Sequence, residues 1–439
     1  MERQALAARA EKGVAAQRRM LAFTSRDKRG ILNAIADELE KNRDELLAVN
    51  AADVTDAIAR GRSPGFLDRL TLTDHRVSNM IRAFRMLADL KDPIGEQISR
   101  WIRPNGLEIV RQRVPIGLVG VALESRPHVV ALAAATCLKV NNAVIVVSDD
   151  EAARTNAVLA RGIRDGGLAL GLPPDAIQVV SSADNLRDCR ILTSLEGLVD
   201  VVILRGSHSF VSDLVERAKV PVLKHRGGNC HVYVDCDRPK PGVDPDVPLT
   251  EANCNCITVD KAVDVVINSR CFEPYACNSA GVVLVHRDIA GRFLPALRER
   301  AEADGVILHG DDSVRAWLPD VRPAEPGDWS MLRKDIILTI GIVDHVEAAI
   351  AHINGHGSHL ADAIVSEDDA IIRQFMREVD SATVYANAAT CFTDGGEYGM
   401  GAEIGISTDK LNVRGPIGLE DLTTTKYLVL GSGQTRGGG

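Results

Sequence analysis

The feature that most restricts the fold of this chain is an alternation, between residues 114 and 235, of short apolar runs with longer helical stretches. The runs occupy residues 116–123, 143–147, 177–180, 201–204, 220–223 and 232–234, and residues 129–138, 152–168 and 209–218 can form helices between them. These runs are nearly continuous in Val, Ile and Leu, which is how strands buried on both faces read. Strands separated by helical crossovers make βαβ units and a mostly parallel sheet. A second series follows a predicted helix at 259–267, through residues 281–286, 292–303, 336–343, 345–354, 361–365, 370–379 and 383–386. The fold class is therefore α/β with two domains, and 439 residues are too many for one ordinary core. Open sheets of this type bind ligands at the carboxyl ends of their strands. No Gly-x-Gly-x-x-Gly turn is present, so the common dinucleotide fingerprint is not indicated.

The first hundred residues carry helical periodicity instead. Ile31, Ile35 and Leu39 share a face away from Glu38, Lys41 and Arg43, with Thr24-Ser25 placed as an N-cap. Gly61 and Ser63-Pro64-Gly65 break the pattern before another helical stretch at residues 73–90. A hairpin comes next, residues 98–103 and 107–113 around the turn Pro104-Asn105-Gly106. It fits either a solvated hairpin or an arm that pairs with another subunit, because open strand edges recruit partners. Residues 236–245 are dense in proline and charge and read as a surface linker, and residues 431–439 as a disordered tail. The resulting division is 1–96 with 114–250, then 251–400, with 97–113 and 401–439 as an arm and C-terminal segment.

A formal net charge of −9 argues against a nucleic-acid binder. No apolar run is long enough to span a bilayer, and the N-terminus lacks the apolar core of a signal peptide. Nine cysteines, an odd and scattered set, do not make a secreted disulfide framework, so a reducing cytoplasm is the expected compartment. Cys230, His231, Cys236, Cys254 and Cys256 fall close in sequence. Zinc sites usually leave two residues between paired cysteines, whereas Cys254-Asn255-Cys256 leaves one, and no metal is assigned.

Cys277 stands apart from the other thiols. It lies in Phe272-Glu273-Pro274-Tyr275-Ala276-Cys277-Asn278-Ser279, directly before an apolar run. Pro274 holds the approach extended, and the following strand anchors the loop. A thiol so placed is either a covalent catalyst or one more small core residue. Residues 393–401 form a glycine-rich loop in which Asp394 and Glu397 are interleaved with the glycines, and Glu403 follows it; it reads as a tight turn or as close backbone approach to a ligand.

Several motifs together carry a resemblance that runs essentially end to end. They are Asp68-Arg69-Leu70-Thr71-Leu72-Thr73, Glu124-Ser125-Arg126-Pro127, Gly228-Asn229-Cys230-His231-Val232-Tyr233-Val234-Asp235, Cys277-Asn278, Phe392-Thr393-Asp394-Gly395-Gly396-Glu397 and Arg414-Gly415-Pro416. The chain resembles the glutamate-5-semialdehyde dehydrogenase, or γ-glutamyl phosphate reductase, branch of the aldehyde dehydrogenase superfamily. That resemblance implies a nucleotide-binding and a catalytic domain with parallel-rich sheets, the two forming a cleft. It also implies that the β-hairpin joins the C-terminal segment as an oligomerisation arm. The implied reaction is NADPH-dependent reduction of L-glutamate 5-phosphate to the semialdehyde in proline biosynthesis, with Cys277 as nucleophile. An acyl phosphate has a good leaving group, and a thioester on sulfur accepts hydride, so one hard step becomes two easier ones. Arg126 is implied at the oxyanion or the leaving phosphate, against a simple ion pair with Glu124. Asn229 is placed with the catalytic groups, and His231, Asn278 and Glu397 with the substrate; Asn229 and His231 could equally be core hydrogen-bonding residues. Ser148, Asp149, Arg205 and Gly206 occupy cofactor positions. The implied partners are a second copy of the chain and a glutamate kinase.

The departures from the family pattern cluster around the cofactor. A basic residue followed by glycines is expected where Val147-Ser148-Asp149-Asp150 stands, so NADH stands beside NADPH, since a carboxylate can bind a ribose hydroxyl. Lys224-His225-Arg226, Gly281 and Leu332 replace expected positions that include glutamates, and residues between Asp235 and Cys277 are added. Lys224, His225 and Arg226 would lower the thiol's pKa if they faced it. The alternatives are a non-catalytic paralogue acting as an interaction protein and an aldehyde dehydrogenase of different substrate.

Overall fold

The computed structural model describes residues 2–224, 228–239, 254–255, 257–330, 336–401, 403–411 and 413–436. The expectations at His225, Arg226, Leu332 and Cys256, for residues 240–245 of the linker and for residues 437–439 of the tail lie outside them. The chain forms two compact units, residues 1–225 with 399–439, and residues 226–398.

The first unit opens with five helices, α1 (Arg3–Met20), α2 (Ser25–Lys41), α3 (Arg43–Ala59), α4 (Pro64–Leu70) and α5 (Asp74–Asp89). Thr24 caps α2 reciprocally: its hydroxyl accepts from the Asp27 N–H at 3.3 Å, and the Asp27 carboxylate accepts from the Thr24 N–H at 2.8 Å. Ile31, Ile35 and Leu39 are buried, as their spacing predicts. The predicted hairpin is β1 (Gln97–Ile102) against β2 (Glu108–Pro115). Its sheet is completed by β19 (Thr423–Leu430), paired antiparallel along the whole of β2. Arm and C-terminal segment thus belong to the first unit.

The body of that unit is a parallel sheet of β3 (Leu118–Leu123), β4 (Ala143–Asp149), β5 (Ile177–Ser182), β6 (Val201–Arg205) and β7 (Val222–Leu223), in the order β5-β4-β3-β6-β7. The crossovers are α6 (Pro127–Lys139), α7 (Ala153–Leu168), α8 (Asn185–Leu192) and α9 (His208–Arg217). Every residue of β3 and β4 is buried, because helices cover both faces. The chain winds outward from β3 through β5, then returns to β6 on the other side of β3. That reversal is the topological switch point of an open sheet.

The second unit is a seven-stranded parallel sheet of β8 (Cys230–Val234), β11 (Ala280–His286), β12 (Ile307–Gly310), β13 (Arg322–Pro323), β14 (Ile337–Val343), β15 (Ala361–Val365) and β16 (Thr383–Ala386). The order is β13-β12-β14-β11-β8-β15-β16. Its helices are α10 (Val259–Cys271), α11 (Arg287–Ala303), α12 (Asp312–Arg315), α13 (Val346–His356) and α14 (Asp369–Glu378). Two short ladders complete the chain, β9 (Arg238–Pro239) with β10 (Cys254–Asn255), and β17 (Ile406–Ser407) with β18 (Gly415–Pro416). The division between units falls at residue 225 and not at 250. The apolar run 232–234 is β8, which pairs with β11 and β15 in the second sheet. Periodicity shows that a strand is buried but not which sheet buries it.

Candidate functional site

In the first unit a cavity of about 630 Å³ opens at the carboxyl ends of the strands. Glu124 follows β3, Asp149 ends β4 with Asp150 and Glu151 after it, and Ser207 follows β6; all line the cavity. Arg60 and Arg62, from the link between α3 and α4, form its cationic wall. Arg62 pairs with Glu151 and lies 5.0 Å from the Phe66 ring centre, and Arg60 reaches Asp150 at 3.5 Å. No sequence signal pointed to these two arginines.

Asp149 has a double task. Its Oδ2 accepts from the Ser125 N–H at 2.8 Å and from the Ser125 hydroxyl at 2.5 Å. Ser125 needs that hold, because its φ of 28° lies in the left-handed region that a side chain disfavours. Oδ1 of Asp149 is buried and has no hydrogen-bond partner. Burial, with Glu151 and Glu124 nearby, pushes the carboxyl up to about 6. Ser148 is fully buried inside β4 and is not among the residues lining the cavity. Gly206 is required by close approach: a Cβ there would stand 2.5 Å from the Phe210 ring and 2.7 Å from a Glu124 oxygen. The Glu124 carboxylate accepts from the Ser207 N–H at the start of α9.

Arg126 holds the N-cap position of α6, and Arg205 ends β6 with its guanidinium against Gly405. Burial, then the charges of Arg126 and Arg205, push the His128 imidazole down to about 3, so it is neutral at physiological pH. Lys224 pairs with Asp409 at 3.4 Å within this unit.

The second unit holds Cys277 on the loop between α10 and β11, and the thiol residue is half-buried. Arg270, fully buried in α10, closes the loop from beneath. Its Nη1 donates to the Pro274 carbonyl at 3.1 Å and to the Ser279 hydroxyl at 2.8 Å. The segment before β8 presses on the loop from another side. The Cys230 thiol donates to the Cys277 carbonyl at 3.4 Å. A Cβ on Gly228 would lie 1.8 Å from that same carbonyl oxygen, which leaves room for glycine alone. By contrast, burial pushes the thiols of Cys137, Cys189 and Cys230 up, as expected of core residues.

The remaining expected residues also lie in this unit. Asn278 is buried, and its amide donates to the Cys391 carbonyl at 3.2 Å and the Thr393 carbonyl at 3.0 Å. Thr390 returns a bond to the Asn278 carbonyl at 2.6 Å. The Asn229 amide donates to the Trp329 carbonyl at 2.7 Å. His231 is sealed inside β8, its backbone N–H donating to Asp362 at 2.7 Å and its ring edge-on to His352. All three side chains are buried, His231 completely. Glu397 is exposed on a turn where Asp394 Oδ1 accepts from the N–H groups of Gly396 at 2.7 Å and Glu397 at 3.3 Å. The structure gathers Asn278, Gly228, Cys230 and residues 390–393 around Cys277; sequence reasoning missed the role of Arg270, which carries no local pattern, and that of Gly228, which it quoted only within a motif.

Among known proteins, the aldehyde dehydrogenase family matches residues 2–238. A gamma-glutamyl phosphate reductase of Halothermothrix orenii is 41% identical over 427 residues, 97% of each chain. One from Caldanaerobacter subterraneus is 39% identical over 428 residues, 98% of this chain and 99% of that one. The crystal structure of gamma-glutamyl phosphate reductase from Thermotoga maritima superposes with a TM-score of 0.89 at 36% identity, covering 98% of this chain and 99% of the other.

Proposed function

Because the chain belongs to the aldehyde dehydrogenase family and, within it, to the gamma-glutamyl phosphate reductases, we propose that it reduces L-glutamate 5-phosphate to L-glutamate 5-semialdehyde and phosphate, a step of proline biosynthesis. The observation that carries the reading is the half-exposed Cys277, held from several sides while Cys230, whose thiol touches its carbonyl, is sealed. A thiolate there attacks the acyl carbon, and the C–S bond forms as the bond to the phosphate oxygen breaks. The products of this half are inorganic phosphate and a thioester on Cys277. Hydride addition gives a hemithioacetal, whose collapse releases the aldehyde and restores the thiolate. Arg126 and Arg205, with a neutral His128 between their fields, give the first unit a cationic patch suited to the substrate's phosphate.

A reduced nicotinamide supplies the hydride when bound, and the cavity at the switch point fits its dinucleotide. The Asp149 carboxylate at the end of β4 suits an adenosine ribose hydroxyl, while Asp150 and Glu151 already take up the charge of Arg60 and Arg62 that a ribose phosphate would need. The cofactor is therefore NADH in preference to NADPH. Apolar side chains exposed on the arm, among them Ile102, Tyr427, Val429 and Leu430, suit association with a second copy of the chain. Seven described cysteines without a disulfide, and no described helix long and apolar enough to cross a membrane, fit an enzyme of the reducing cytoplasm. The deciding experiment runs the reverse reaction, supplying semialdehyde and phosphate with NAD or NADP and following nicotinamide absorbance. Turnover greater with NAD is expected; none with either cofactor overturns the reading.

A further inference from the structure

We propose that Cys236, His286 and Asp288 form a zinc-type metal site that clamps the segment following β8 to the carboxyl edge of the second sheet. β8 and β11 are neighbouring parallel strands with Val234 opposite Val285, so the residues just beyond them reach the same edge. Cys236 lies two residues past β8, His286 ends β11, and Asp288 begins the first turn of α11. One sulfur, one ring nitrogen and one carboxylate oxygen from these residues lie within 4.8 Å of one another. Cys236 and His286 are 5% and 6% exposed, while Asp288 faces solvent and leaves a path of entry.

The donor chemistry selects the ion. Thiolate with imidazole disfavours calcium and magnesium and suits zinc, whose tetrahedral bonds would bring the donors to about 3.5 Å apart by a small closure. His286 is already oriented by its neighbour. Its Nδ1 accepts from the Asp288 N–H at 3.2 Å and lies 3.7 Å from the Asp288 carboxylate, so the ring is held beside the second ligand.

A separate observation concerns the chain between β8 and α10. The ladder of β9 and β10 starts two residues after Cys236 and sets Cys254 across from Pro239. The ends of the segment are tied together here as well, because Asp237 accepts from the Ile257 N–H at 2.8 Å and pairs with Arg292 at 2.8 Å. Cys277 precedes β11 whereas His286 ends it, and a strand of seven residues separates them by about 20 Å. The metal is therefore structural, and the proposal does not rest on the reductase reading. It replaces the sequence expectation of no metal.

The test measures zinc by emission spectrometry in full-length protein purified without added metal, then titrates the metal-free protein with Co²⁺ and follows the thiolate-to-cobalt absorption. One metal per chain and a cobalt band are expected, both lost in Cys236→Ser and in His286→Gln. The exposed Asp288→Asn variant, which leaves the core untouched, should bind more weakly and keep wild-type circular dichroism. Chelation should lower Tm while leaving nicotinamide turnover intact. Absence of both zinc and a cobalt band in folded wild-type protein overturns the proposal, as does a band unchanged in Cys236→Ser.

Discussion

The two sheets offer opposite edges to chemistry. In the first unit the cavity-lining carboxylates follow the carboxyl ends of β3 and β4, and Ser207 follows β6. In the second unit Cys277 and Gly228 precede β11 and β8, at the amino ends. The carboxyl edge of a parallel sheet is where strands feed helix N-termini, so ligand groups are met by strand-end residues whose positions the sheet itself sets. An amino-end loop has no such ready platform. It is held by packing from elsewhere in the chain, here by the Arg270 staple, the close pass of Gly228 and the Asn278 bonds to residues 391 and 393. One edge is therefore tunable by single charges, and the other is sensitive to shape.

The sharpest way to break this contrast is Cys277→Ala. Loss of the nucleophile should lower kcat by at least about 10³-fold while the thermal midpoint stays near wild type, checked by nicotinamide absorbance and calorimetry. Gly228→Ala comes next. Its added methyl meets the Cys277 carbonyl, so the loop must shift, and a displacement of this kind should cost about 10²-fold in kcat/KM. Wild-type kinetics in that variant would show the amino-end loop to be as tolerant as the strand ends. A smaller effect is expected at the other edge. Asp150→Arg should raise the NADPH to NADH ratio of kcat/KM by about tenfold, equivalent to ~1.4 kcal/mol, without lowering Tm.

The smallest and most specific effect concerns Asp149. Its carboxyl is raised in the folded protein from 3.8 to about 6, chiefly by burial, so the folded state holds this proton more tightly than the unfolded chain. That contribution to stability is full below pH 3.8 and is lost as pH rises through about 6. Asp149→Asn keeps an acceptor for Ser125 and does not titrate. It should therefore gain stability over wild type above pH 6, on the order of 2 kcal/mol, and lose that advantage toward pH 4. Urea midpoints across that range decide the matter, and a constant difference between the proteins would remove burial as the cause.

Much of the candidate site was legible in the residues. The Cys277 loop was readable because proline and small residues stop a helix just before a buried strand, and the Asp149 position only through the family resemblance, which expects a basic residue there. The supports were not. Arg270 reads as one more helix charge, Gly228 as one residue of a longer motif with no role of its own, and His231 as either a substrate contact or a core hydrogen-bonding residue. Their roles come from neighbours far along the chain, such as Asp362 beside His231.

Local sequence determined the two α/β series, the capped N-terminal helices, the hairpin and the Cys277 loop, since periodicity, capping and turn chemistry act over a few residues. Tertiary structure alone decided that β8 belongs to the second sheet, that Asp149 braces the strained Ser125, and that Cys236, His286 and Asp288 converge. Strand order and the meeting of strand ends depend on how whole elements pack, which no spacing within one segment records.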